Sequence, residues 1–352
     1  MNETINLTPR QKTIINLLST GQKYTRSEIT NNLPNILSAS KATVARDIKT
    51  LVNKKLIQSF GSGPNTTYQT ISSHPLLPYL DLEQYFELEP DRRVKTKSTF
   101  QNNIFTSLPG IITKSDEQNI AEIHRSFAKA TSKLNPTILS RELERYIIEL
   151  SWKSSKIEGN TYTLIETESL IKEGREATGR THLETVMILN HKQAFQLILK
   201  HKDQFKTLTK TDLVQFHNTL IKDLNVPSGI RNLRVGITGT SYTPLANSWE
   251  IEEALEHLIT TVNNAQHPIE KALIASALIA YLQPFADGNK RTARMMANAI
   301  LLAHDYFPLS YRSVNKDEFK QALIIFYETG NIYHLKRIFL EQYQFAVNTY
   351  FL

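Results

Sequence analysis

The chain has 352 residues, long enough for two or three domains with buried cores, and its 40% hydrophobic and 21% charged residues are ordinary for a globular protein. It contains no cysteine, which excludes disulfides and thiolate metal or redox chemistry. The formal net charge of +7 is concentrated: residues 1–75 hold nine Lys/Arg against three acids, leaving only +1 for the remainder. A basic excess confined to one end is the footprint of a polyanion-binding module.

The N-terminal segment has no apolar signal core, and the longest apolar run, Ala272–Leu282, is too short to span a bilayer. The expectation is a cytoplasmic protein without a membrane partner. The first predicted helix runs from Pro9 to Leu18, behind Thr8 as N-cap. A second is expected from Ser27 to Leu33, stopped by Pro34. The third runs from about Lys41 to Lys54 behind Ser40. Its residues Val44, Ile48, Leu51 and Val52 form one buried stripe, and Thr43, Arg46, Lys49 and Thr50 lie opposite. Ile57–Phe60 and Thr67–Ile71 then flank a Gly-Ser-Gly-Pro-Asn turn, predicting a hairpin.

Three helices and a hairpin, with a basic third helix, resemble the winged helix-turn-helix of bacterial transcription regulators. The resemblance implies double-stranded DNA as partner. Arg46 would be the base-reading candidate, with Lys41, Thr43 and Lys49 near phosphates. The competing reading is a small dimerisation domain with solvated charges.

Residues 76–136 read as a connector with short helices, punctuated by prolines and carrying a basic loop at 91–97. From residue 137 to 352 the pattern is helical, interrupted by a strand-like stretch near 229–245. The fold class expected is therefore mainly α, with a small N-terminal sheet.

The chemistry is concentrated in Ala280–Arg294. An all-round apolar helix, Ile269–Leu282, runs into a Pro–Phe break and a tight turn, Asp287–Arg291. A further apolar helix, Thr292–Leu302, follows. A glycine turn at a helix N-terminus points several N–H groups at one spot. Lys290, Arg291 and Arg294 add three cations at the end of the helix dipole that disfavours them, so an anionic partner is called for. Asp287 supplies a carboxylate for a hard cation. Together these residues make a place for a polyphosphate with Mg²⁺.

The segment Gln283-Pro284-Phe285-Ala286-Asp287-Gly288-Asn289-Lys290-Arg291-Thr292-Ala293-Arg294 resembles the signature loop of the Fic family, which begins with histidine and carries glycine at the position of Lys290. Gly229–Ile237 and Thr243-Pro244 resemble the family's flap, a hairpin over the nucleotide. Ser154-Ser-Lys-Ile-Glu158-Gly159 resembles its inhibitory motif, and the likeness covers about residues 137–335.

That resemblance implies AMP transfer from ATP to a hydroxyl of an unidentified target protein. Asp287 would ligate Mg²⁺ and Asn289 would hold the α-phosphate. Gly288, with the loop backbone through Pro284 and Phe285, would form the anion hole. Arg291 would pair with the distal phosphates. Arg294 would hold the γ-phosphate when active and Glu158 when resting, making the chain autoinhibited from its N-terminal side.

Two positions depart from the family pattern. The general base is Gln283, and an amide takes no proton at neutral pH. Lys290 resembles the Doc branch, which transfers the γ-phosphate. Three functions stay open: a slow adenylyltransferase, an inactive ATP-sensing regulator of DNA binding, and a Doc-like protein kinase. His191 and His304 are expected to be structural. The aromatic C-terminal segment around Tyr343, Phe345, Tyr350 and Phe351 either packs on its own core or forms a homodimer surface.

Overall fold

The computed structural model describes residues 7–18, 22–54, 56–70, 74–93, 97–131 and 135–350. Ile71, Phe351 and residues 94–96 of the basic loop lie outside the described residues. Two compact units divide between Glu89 and Pro90.

The first unit contains α1 (Pro9–Leu18), β1 (Tyr24–Thr25), α2 (Arg26–Asn31), α3 (Lys41–Asn53), β2 (Ile57–Phe60), β3 (Thr67–Thr70) and α4 (Leu82–Phe86). Thr8 and Gln11 exchange backbone-to-side-chain hydrogen bonds and start α1. Ser40 accepts the Thr43 N–H at 3.2 Å and starts α3. Val44, Ile48 and Leu51 are buried as their spacing predicts. Buried Asp47 accepts from Arg10 and from Gln11, tying α3 to α1. α2 ends at Asn31, before Pro34, because the Asn32 side-chain amide takes the Glu28 carbonyl at 2.8 Å. The expected hairpin is a three-stranded antiparallel sheet, ordered β1-β3-β2, with Tyr24 opposite Tyr68.

The second unit is helical. It comprises α5 (Ile104–Ser107), α6 (Lys114–Thr131), α7 (Pro136–Ile157), α8 (Leu164–Glu173), α9 (His182–Lys200), α10 (Lys210–Ile221), α11 (Ser248–Asn264), α12 (Pro268–Leu282), α13 (Asn289–Ala303), α14 (Lys316–Thr329) and α15 (Tyr333–Thr349). α6 is longer than a connector of short helices suggests. It is amphipathic, and Thr113 and Asp116 cap its start reciprocally. The core is the α12–α13 pair; from Ile269 to Leu282 only Ser276 escapes burial. Helices α7, α9, α10, α11, α14 and α15 pack around this pair. In the C-terminal segment Tyr343 and Tyr350 are buried, with Tyr350 ringed by Tyr146 and Phe307.

The stretch 229–245 contains no regular strand; among the described residues its one β-bridge joins Thr99 and Thr243. Arg231 takes the carbonyls that a strand ladder would use. Its guanidinium donates to Leu233 O at 2.7 Å, Leu245 O at 2.6 Å and Gln283 O at 2.6 Å. The Arg231 N–H donates to Pro284 O at 3.0 Å. A buried side chain therefore holds this loop over the α12–α13 turn.

Candidate functional site

α12 ends at Gln283, whose backbone lies in the left-handed region (φ 51°). This bend throws Pro284–Gly288 outward before α13 begins. Gly288 is the second left-handed residue (φ 78°) and caps α13. A Cβ there would lie 3.0 Å from Ile221 Cγ2 and 3.2 Å from His217 Cε1, so glycine is required for both space and conformation. α13 consequently starts at Asn289, three residues earlier than its apolar pattern suggests.

Asn289 closes the turn by accepting the Phe285 N–H (2.9 Å) and donating to the Phe285 carbonyl (2.8 Å). Its amide is thereby committed to bracing the loop. Below it, His217 stacks on Phe285 at 3.6 Å with the rings 3° from parallel. Thr292 donates to Gly288 O, leaving its oxygen to accept from His217 Nδ1–H; both contacts are 3.0 Å. Burial first, then the Arg291 charge, pushes the His217 pKa down to about 3. The neutral ring is thus a flat brace under the loop. Sequence reasoning missed it because a lone histidine 75 residues upstream carries no spacing signal.

Arg291 is buried, and its Nη1 has no hydrogen-bond partner among the described residues. Its Nη2 reaches Asp287 at 3.3 Å, but the Asp287 carboxylate is 71% exposed. Burial lowers the Arg291 pKa, with Asp287 and Glu158 opposing that shift. A buried guanidinium with an idle N–H is an incomplete ion site.

Arg294 is 1% exposed, and each of its three guanidinium nitrogens has a partner. It donates to Glu158 Oε1 at 2.7 Å, to Ser154 Oγ at 3.0 Å and to the Ser154 carbonyl at 2.9 Å. Glu158 is the C-cap of α7, and Gly159 (φ 102°) turns the chain away behind it. Burial opposes the Glu158 charge, but Arg294 and then Lys290 outweigh it and hold the carboxyl below its usual range.

His191 stands behind this pair. Because Ser154 Oγ accepts from Arg294, its own proton is available to His191 Nε2 at 2.9 Å, while His191 Nδ1–H donates to Met187 O at 2.8 Å. Burial, with the Arg291 and Arg294 charges, pushes the His191 pKa to about 3. The expected structural role of His191 is thus a specific one. The His304 ring donates to the Ile300 carbonyl of its own helix at 2.9 Å.

Glu158, Asp287, Asn289 and Arg291 line a cavity of about 400 Å³. Its walls are the signature turn from Gln283 to Arg291, Ile157–Gly159, loop residues Val235–Thr238 and the inner face of α14. The Gln283 amide nitrogen donates to Ala280 O at 2.6 Å, leaving its carboxamide oxygen as the acceptor at this position. On the first unit, Lys41, Arg46 and Lys49 are exposed and form no ion pair among the described residues, and Thr43 bonds Ser40.

Residues 207–301 match the Fic/DOC family. The chain carries a Fic/DOC family domain. It is 24% identical over 190 residues to the protein adenylyltransferase Fic of Nematostella vectensis, across 53% of this chain and 44% of that protein. It is 25% identical over 206 residues to the Aedes aegypti protein of that name, across 56% and 40%. The likeness therefore spans less than half the length of these relatives.

Among solved structures, Fic-1 from C. elegans aligns with a TM-score of 0.56 at 19% identity, over 66% of this chain and 70% of that one. A Fic domain containing signaling protein from Bacteroides thetaiotaomicron aligns with a TM-score of 0.56 at 19% identity, over 65% and 94%. These likenesses establish a Fic fold.

Proposed function

We propose that this chain binds Mg²⁺-ATP in the cavity over the α12–α13 turn and is an autoinhibited protein adenylyltransferase slowed by Gln283, with a winged-helix DNA-binding unit at its N-terminus. The observation that carries this reading is the Arg291 and Arg294 arrangement: one buried cation lacks a full set of partners, and the other is held by a carboxylate.

The residues fit the nucleotide. Arg291 Nη1 offers a buried donor, and the left-handed Gly288 leaves the α13 N-terminus open to an anion. Asp287 is a hard, exposed carboxylate in the cavity wall. No cluster of three metal-ligating side chains occurs among the described residues, so Asp287 would hold the cation together with phosphate oxygens and water. Bound Mg²⁺ would neutralise charge developing on the phosphates.

In adenylyl transfer a target hydroxyl oxygen bonds to the α-phosphorus, the bond to the β-phosphate breaks and pyrophosphate leaves. The Gln283 oxygen can accept a hydrogen bond from that hydroxyl and orient it, but the proton has to pass to solvent or a phosphate. Losing a general base costs about 10²–10⁴-fold. Glu158 keeps the Arg294 guanidinium from the γ-phosphate until the pair opens.

Gln283 also favours a second reading, a catalytically silent nucleotide sensor coupled to DNA binding. Lys41, Arg46 and Lys49 of α3, exposed and without an ion pair among the described residues, support DNA as partner.

The test is label transfer from α- and γ-labelled Mg²⁺-ATP by the wild type, Glu158→Gly and Glu158→Gly/Gln283→His. Alpha label on Glu158→Gly supports the adenylyltransferase. Label only after histidine is restored supports the sensor. Gamma label overturns both in favour of phosphate transfer.

A further inference from the structure

The inner face of α14 forms one wall of the cavity, through Lys316, Lys320, Leu323, Ile324 and Tyr327. These residues recur at helical spacing, so one stripe of α14 faces the ligand. Eleven residues separate Lys316 from Tyr327, a rise of about 16 Å along the axis. The Tyr327 end belongs to the switch: burial, then the Glu158 charge, raises its phenol well above its usual range. The lysines therefore stand at the other end of the wall.

Lys316 and Lys320 form no ion pair among the described residues. The nearby acids are otherwise disposed, since Glu318 pairs with Arg337 and Asp317 faces solvent. Lys316 occupies the first turn of α14, where the helix dipole disfavours a cation. The middle of the wall is apolar. Two buried polar groups of this cavity, the Tyr327 hydroxyl and Arg291 Nη1, have no partner among the described residues. The cavity thus has cations at both ends, separated by an apolar span.

We propose that the cavity accepts a nucleotide carrying a second phosphate, esterified to its ribose, with Lys316 and Lys320 as the subsite for that phosphate. This rests on the reading that the 5′-phosphates occupy the α12–α13 turn. Along the α14 axis Lys320 lies about 10 Å and Lys316 about 16 Å from Tyr327, so both ammonium groups stand at the end of this wall away from the switch. A nucleotide without the ribose phosphate leaves both ammonium groups in water.

Calorimetric titrations of the full chain with AMP, adenosine 3′,5′-bisphosphate, adenosine 2′,5′-bisphosphate and ATP test the assignment. The wild type should bind one of the bisphosphates at least tenfold more tightly than AMP. In Lys316→Met/Lys320→Met that ratio should fall to near one, with the ligand-free melting temperature showing an intact fold. Lys320→Met alone should give an intermediate ratio. A ratio near one in the wild type, with ATP still bound, overturns the subsite and leaves the nucleotide reading standing. A tenfold ratio that persists in the double variant overturns the assignment to these lysines. Failure of ATP and both bisphosphates to bind overturns the nucleotide reading as well.

Discussion

Replacing Glu158 with glycine removes one of the three groups that hold Arg294, and the structure indicates how much that is worth. The Glu158 contact is a charge-assisted hydrogen bond at 2.7 Å, with the carboxylate side chain 21% exposed and the guanidinium 1% exposed. Such a bond contributes about 1.5–3 kcal/mol. The two bonds to Ser154 survive, so Arg294 stays in place and only its Nη1 is released. A γ-phosphate competing for that position gains what the carboxylate loses, so nucleotide affinity should rise roughly 10- to 150-fold. The substitution is sterically mild, because Glu158 sits at φ −86°, ψ 5° at the helix end.

Thermal shift with Mg²⁺-ATP, compared with Mg²⁺-ADP, checks this directly. Glu158→Gly should be the less stable protein without ligand and gain more stability from ATP than the wild type does. The excess should shrink with ADP, which lacks the γ-phosphate. Acidification gives the same release with a defined sign. Because the Glu158 carboxyl is held below its usual range, the contact is fully present above that range and is lost only as pH falls beneath it. ATP affinity of the wild type should therefore show no release of this pair between pH 6 and 9. An equal ATP response in the two proteins would refute the claim that Glu158 and the γ-phosphate compete for Arg294.

Gly288→Ala should destabilise the second unit by about 2–4 kcal/mol through left-handed strain and the 3.0 Å approach to Ile221, measured by denaturant titration. His191 and His217 have folded pKa values near 3, so the unfolded chain binds their protons first as pH falls. Stability should drop by about 2 kcal/mol per histidine between pH 7 and 5. His217→Asn should flatten that slope in proportion, or the burial argument fails. Arg231→Met should loosen residues 233–245, read as faster amide exchange there, because three backbone carbonyls lose their donor.

The helical second unit and its turn were legible because their signals are local. The all-round apolar run from Ile269 to Leu282 gave α12, and the structure buries all of it except Ser276. The Glu158–Arg294 pair was accessible through the resemblance of two motifs, although 136 residues separate them. What stayed hidden depends on packing between distant helices. His217 is recognisable as a brace only once α10 lies under Phe285, and Lys316 and Lys320 only once α14 lines the cavity. The stretch 229–245 was misread for a related reason. The stretch is strand-like in sequence, but the Arg231 guanidinium takes the Leu233 and Leu245 carbonyls from inside, and no ladder forms.

The place of Gln283 is fixed by backbone geometry more than by its side chain. Its left-handed conformation ends α12, and its carbonyl accepts from Arg231, so any residue there must tolerate φ 51°. Histidine is among the side chains enriched in that region, whereas a β-branched residue would be strained. Gln283→His should therefore leave the melting temperature near that of the wild type while adding a group that can take a proton. In the Glu158→Gly background, transfer should rise about 10²–10⁴-fold, with an acid limb near the histidine pKa. An unchanged rate with an intact fold would mean that the proton already has another route and that Gln283 is not the defect.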